Sequence, residues 1–219
     1  PKGFEYWTPW IVRLAVANLV YAGYVAMQQK DLRYMLAYAS VSHMGYAFLA
    51  LAAGTALATQ GFVLFLFAHG LTAALGFAVA GSLRQQTGTS VIAEMSGLAK
   101  RTPFLATIFT MTALAGFGMP GFANFPAELM IFFGSFNKFS WATALAIWTT
   151  LISAVYLLRA VRNLFLGPLP EKWAMIRDVD AGRRTILALL MVALLIAGFW
   201  PRSILGGPSN PLIHLASER

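Results

Sequence analysis

Glu128 is the one acidic residue of this sequence set inside an apolar stretch. The other seven, Glu5, Asp31, Glu94, Glu171, Asp178, Asp180 and Glu218, fall between such stretches or at their ends. A carboxyl group in those surroundings is costly and marks a path for ions or protons more often than it marks a structural feature. It is pulled two ways, because burial favours the neutral acid while the positive end of a helix starting just before it favours the carboxylate. A group so poised can take up and release a proton. Its plainer use is as a first-turn acid that complements the helix dipole and faces a loop. His43 and His69 are the next candidates. Ser40 and Tyr46 flank His43, and Thr72 flanks His69, at i,i+3 spacing on the same helix faces. Proton relay suits these residue types, an interhelical hydrogen bond without titration is the commoner use, and axial ligation of haem is a third chemistry that no other residue supports. Tyr34, Tyr38, Ser42 and Tyr46 recur at every fourth position. Such a polar stripe is costly against lipid and is expected to face other helices, as a supporting path for protons or as glue between helices.

These residues need elements to hold them, and the composition names the kind. Of 219 residues, 58% are apolar and 11% charged, and the mean hydropathy is +0.67. A soluble domain carries about 25% charged residues, and one globule of this length cannot bury so much apolar surface, so the chain is expected to be an all-α integral membrane protein. Apolar stretches near 9–28, 34–53, 60–82, 103–136, 141–165 and 185–200 give about six transmembrane helices. The fourth is too long for one straight helix and contains Gly116-Phe117-Gly118-Met119-Pro120-Gly121-Phe122-Ala123-Asn124. Gly118, Pro120 and Gly121 disfavour helix there and Asn124 is suited to cap a restart, so this span is expected to be two half-helices with Glu128 one turn past the break. Irregular backbone at membrane depth is tolerated where protein or a wet cavity satisfies it, which is why broken helices mark transport sites. Gly45, Gly70, Gly76 and Gly81 are expected at close helix approaches.

The net charge of +8 would suggest nucleic acid in a soluble protein. Here it follows the positive-inside rule. Lys30, Arg33, Arg84, Lys100, Arg101, Arg159, Arg162, Lys172, Arg177, Arg183 and Arg184 collect on one face. Lys2, Lys138, Arg202 and Arg219 lie on the other, and Arg13 can reach headgroups from near the end of span one. That split puts the first face in the cytoplasm and both ends of the segment outside. Zero cysteines exclude iron–sulfur ligation and thiol chemistry by this chain. No GxGxxG, P-loop, Ser-His-Asp constellation or zinc spacing is present, so no nucleotide, cofactor or metal site is expected. Pro1-Lys2-Gly3-Phe4-Glu5 offers neither an initiator Met nor a signal sequence, and the chain is expected to start partway into a longer protein.

Four strings carry a resemblance: DLRYMLAYASVSHMGY (31–46), FAHGLTAALGF (67–77), GLAKRTP (97–103) and GMPGFANFPAELMIFFGSF (118–136). From about Pro9 to Pro201 the chain resembles the antiporter-like subunit M family of respiratory complex I, the proton-pumping NADH:quinone oxidoreductase. The resemblance implies a five-helix antiporter-like repeat over 1–165, followed over 166–219 by a cytoplasmic loop, a final helix and a tail. It matches Glu128 to the carboxylate of the family's second broken helix, where L- and N-type relatives commonly carry lysine. It also places His43 and His69 on the hydrated central axis, with Tyr38, Ser42 and Thr72 in support. The family's first repeat and its central-axis lysine have no counterpart in this sequence, so a complete channel needs more polypeptide. The activity implied is non-redox proton translocation in a bacterial inner membrane, not catalytic alone. Neighbouring antiporter-like subunits and lipid would be the partners, with no nucleic acid. NADH, FMN, iron–sulfur clusters and quinone would belong elsewhere in the complex. Multisubunit cation/proton antiporters and membrane-bound hydrogenases use the same fold and are the alternatives, together with a purely structural spacer.

Overall fold

The computed structural model describes residues 2–206 as helices joined by short loops. In chain order they are α1 (Lys2–Gln28), α2 (Leu32–Ala53), α3 (Ala56–Thr87), α4 (Pro103–Gly116), α5 (Asn124–Phe136), α6 (Ser140–Phe165), α7 (Ala181–Phe199) and the short α8 (Arg202–Leu205). Pro1 and the tail that carries Glu218 and Arg219 lie outside the described residues, as does the side chain of Lys2. Helices α1, α2, α3, α6 and α7 are each long and apolar enough to cross a membrane, and α4 is a shorter apolar helix. The 14 residues of α4 and 13 of α5 rise about 21 and 20 Å. Together they cross the roughly 30 Å hydrocarbon core that neither spans alone. The fourth apolar stretch is thus two half-helices, with the break at 117–123 where the Gly-Pro run places it.

Burial runs outward from α2. Its most apolar window is 61% buried, against 39% for α1, α3 and α6 and 22% for α7. Leu14, Leu151, Val155 and Leu189 point away from the bundle, as side chains facing lipid do. The crossing of α3 and α5 is tight enough to need glycine on both helices. A Cβ on Gly134 of α5 would lie 2.8 Å from the Cα of Ala58 on α3, and one on Gly61 would lie 2.9 Å from the carbonyl oxygen of Ala127. Gly45 packs against the Ala15 carbonyl of α1 in the same way, and Gly76 faces Leu36. Gly70 and Gly81, by contrast, have open space where a Cβ would go, and no helix among the described residues approaches them closely. Apolar context alone gives no sign of which face a membrane glycine occupies.

At one end of the bundle the loops are stitched together. Leu32 N–H donates to the Ser90 carbonyl at 2.9 Å and Ile92 N–H to the Lys30 carbonyl at 2.8 Å. Gly97, at φ +64°, sits directly against the 167–169 backbone, and its N–H donates to Leu166 O. Arg159 reaches the Met27 carbonyl and Arg183 the Gln85 side chain. The basic loops assigned to one face by charge are therefore neighbours in space. At the opposite end Lys138 donates to the Ala53 carbonyl at 2.7 Å, which closes the C-terminus of α2.

Asp31 is the N-cap of α2. Its carboxylate accepts from Arg33 N–H at 2.8 Å, from Tyr34 N–H at 3.3 Å and from the Ser90 hydroxyl. Burial opposes its ionisation, yet the hydrogen bonds from Ser90, Arg33 and Tyr34 outweigh burial and hold the carboxyl below its usual range. A lowered value means that the stabilisation is complete above the ordinary pKa of 3.8 and is lost as pH falls through the lower folded value. Asp31→Ala is expected to cost about 1 kcal/mol, as loss of a helix cap does, and to lower the melting temperature of the detergent-solubilised assembly at neutral pH. An unchanged melting curve would show that the cap is not needed.

Candidate functional site

Helix α4 stops at Gly116 because the next residues cannot continue it. Gly118 and Gly121 take φ of +71° and +104°, the left-handed side of the map, and Pro120 has no N–H. The freed backbone groups find partners nearby. Gly118 N–H donates to Ala115 O and Met119 N–H to Leu114 O, both at 3.0 Å, and Ala123 N–H donates across the bundle to the Leu194 carbonyl of α7 at 3.2 Å. Helix α7 comes this close because residue 198 is glycine; a Cβ there would lie 2.6 Å from the carbonyl carbon of Phe122.

Helix α5 restarts at Asn124, but Asn124 does not cap it. The N-cap position is Ala123, with no side-chain bond. Instead the Asn124 carboxamide turns to α3, where its Oδ1 lies 3.0 Å from the Thr72 hydroxyl. Thr72 lies on the wall of a half-open cavity, and that contact outcompetes a local cap. One turn later Glu128 is 4% exposed, with its carboxyl against the backbone of Gly118. Among the described residues no Lys or Arg pairs with it.

The two histidines meet. Their rings pack edge to face with centroids 5.6 Å apart, and His69 stacks on Phe65 at the same distance. Rings in edge contact leave no slot for a haem between them. His43 Nε2 is 3.2 Å from Ser153 Oγ, which also accepts the Tyr156 hydroxyl at 3.2 Å. The Tyr46 hydroxyl lies 3.1 Å from both Thr149 Oγ1 and Thr150 Oγ1 on α6. Beside the histidines is a cavity of about 30 Å³ whose wall includes Ser40, His43, His69, Thr72 and Thr112. That is the room one water molecule needs. His69 Nδ1 is buried without a protein partner. By helix rise, Tyr46 and Glu128 lie about 10 to 12 Å from the end of the bundle away from the basic loops, and His69 about 20 Å from it. A polar seam therefore leads from that half of the bundle to its middle.

Of the residues singled out in the sequence, His43, His69 and Thr72 share the wall of one cavity, while Glu128 is not on that wall. Ser42 is not on that wall: its hydroxyl donates to the Leu19 carbonyl of α1 at 2.8 Å and so fastens α1 to α2. Tyr34 is exposed at 60%, Tyr38 is half-buried against the apolar core, and Tyr46 faces α6. An i+4 repeat advances 400° per step, so the stripe drifts about 120° around the helix from Tyr34 to Tyr46 and cannot keep one face. The His43 ring packs on that of Tyr46 with centroids 5.9 Å apart, but its hydrogen-bond partner is Ser153 rather than Ser40 or Tyr46. The polar line of α6 is what the sequence reading left out, although Thr149, Ser153 and Tyr156 stand at i, i+4 and i+7 in an apolar span.

Residues 4–153 match the family model described as "NADH:quinone oxidoreductase/Mrp antiporter, TM". NADH-quinone oxidoreductase subunit M of Mycobacterium tuberculosis is 32% identical over 94% of this chain and 37% of its own length. A chloroplastic NAD(P)H-quinone oxidoreductase chain 4 of Zygnema circumcarinatum is 32% identical over 92% and 41%. The chain thus spans about two fifths of the length of these relatives. Among solved structures, a chain of respiratory complex I from Thermus thermophilus with bound NADH superposes with a TM-score of 0.90 at 34% identity, covering all of this chain and 45% of that one. A chain of the Mrp complex from Dietzia shares the fold, with a TM-score of 0.85 at 19% identity over 96% of this chain and 47% of its own. With a broken helix, a buried carboxylate and paired histidines on one scaffold, this integral membrane chain belongs to the NADH:quinone oxidoreductase/Mrp antiporter transmembrane family.

Proposed function

We propose that this chain is part of an M-type subunit of a membrane NADH:quinone oxidoreductase and carries part of its proton path. The observation that bears this reading is the Glu128 carboxyl, buried at a helix break with no cationic partner among the described residues, at the end of a seam that begins at the His43–His69 pair. Residues 1–165 form the antiporter-like repeat, and 166–219 supply the loop, the closing helix and the tail. Protons enter from the cytoplasmic side, pass the histidines by way of the cavity, and leave toward the outside near Glu128. The basic loops lie in the cytoplasm of a bacterial inner membrane by the positive-inside rule, and both ends of this segment lie outside.

The chain acts without a redox centre of its own and is not catalytic alone. Electron transfer through NADH, FMN, iron–sulfur clusters and quinone in other subunits drives it, and neighbouring antiporter-like subunits flank it. Repulsion between protonated sites biases the relay. Two unit charges about 10 Å apart interact by roughly 1.7 kcal/mol at an effective dielectric of about 20, too little to pump without coupling to electron transfer. The test is acidification of inverted vesicles that hold the intact complex. NADH-driven acidification without added sodium supports the reading. Sodium-dependent proton exchange in the absence of an electron donor would replace it with a cation/proton antiporter.

A further inference from the structure

Thr72 Oγ1 lies 2.8 Å from the Ala68 carbonyl oxygen and 3.0 Å from Asn124 Oδ1, while Asn124 Nδ2 is buried without a partner. A hydroxyl has one proton to give. If it goes to Ala68, one turn back on α3, both oxygens of the second contact are acceptors and repel. Turning the carboxamide over removes the conflict, because Asn124 then donates its N–H to the Thr72 oxygen. The buried unpartnered atom becomes the amide carbonyl oxygen. What this place lacks is a donor, and a water molecule supplies one. The neighbouring cavity has room for one water, Thr72 and His69 are both part of its wall, and His69 Nδ1 is a second buried atom without a partner. Asn124 also precedes Glu128 by four residues, so both project from one face of α5.

We infer that Asn124 is a positioning residue: held by Thr72, its carboxamide oxygen fixes a water between the histidine-lined cavity and Glu128. A carboxamide does not shuttle protons itself, so its part is to hold the carrier in line. The inference rests on the reading of Glu128 as a proton site. Its test uses the intact complex in proteoliposomes, with NADH turnover per assembled complex measured in H2O and D2O. Asn124→Leu keeps the branching and removes the polar atoms, and Thr72→Val keeps the shape and removes the hydroxyl. Both are expected to slow turnover about tenfold, comparable to one lost hydrogen bond at about 1.4 kcal/mol per decade, and to raise the solvent isotope effect. Thr72→Ser, which returns the hydroxyl, restores most of the rate lost in Thr72→Val. Reduced assembly with an unchanged isotope effect per complex would show a purely structural residue and overturn the inference. Where Asn124→Leu does not assemble, the Thr72→Val and Thr72→Ser pair decides in the same way. Glu128→Gln in parallel separates the two readings. If it pumps normally, the reading of Glu128 fails and this one with it. If it collapses while Asn124→Leu and Thr72→Val run at the normal rate and isotope effect, only the role of Asn124 fails.

Discussion

Glu128→Gln is expected to abolish proton pumping and to slow NADH oxidation together, with the complex still assembled. The substitution preserves shape and removes only the ability to exchange a proton. Since no Lys or Arg among the described residues pairs with the carboxyl, no ion pair is broken and no opposite charge is stranded among those residues. The expected loss is about a hundredfold, the low end of what removal of a positioned acid or base costs. Pumping in vesicles and NADH oxidation should be recorded on the same preparation, with assembly checked by native electrophoresis. Wild-type rates for both would make the carboxyl a structural group and sink the relay described above.

The second large effect belongs to Gly118. A Cβ at this position would lie 3.1 Å from the Glu128 carboxyl carbon and closer still to one of its oxygens, at a φ of +71° that side chains rarely adopt. Gly118→Ala therefore strains the break by about 1 to 2 kcal/mol and drives the carboxyl from its seat. Gly121→Ala is the control. Its φ of +104° brings comparable backbone strain, but its Cβ would meet only the Phe199 ring at 3.7 Å, away from Glu128. Gly118→Ala is expected to lose about tenfold in coupled turnover, and Gly121→Ala to lose stability with turnover per complex largely kept. Equal losses in both variants would assign the effect to the loop rather than to the placement of the carboxyl.

Local chemistry was legible in the residues themselves. A Gly-Pro run inside an apolar stretch leaves helix few options, and an acid inside a span draws attention by its cost, so the break and Glu128 were both readable. Pairing between helices was not. Ser153 lies 110 residues from His43, and no periodicity in α2 indicates that the imidazole turns to α6 rather than to Ser40. Asn124 illustrates the same limit. An Asn before an apolar run reads as a cap, but a hydroxyl offered by α3 outcompeted the local backbone. Gly70 and Gly81 show a related limit, since no described helix packs on them and the face a small residue occupies depends on neighbours that the sequence around it does not name.

The bond from Ala123 N–H to the Leu194 carbonyl has a consequence for biogenesis. The acceptor is synthesised about seventy residues after the donor, so when both half-helices first enter the bilayer the break holds an unsatisfied N–H in hydrocarbon, at a cost of several kcal/mol. Only the arrival of α7 closes it. The break therefore reaches its finished, fully hydrogen-bonded form only after residue 194 has been inserted, and a chain interrupted before α7 would leave it open.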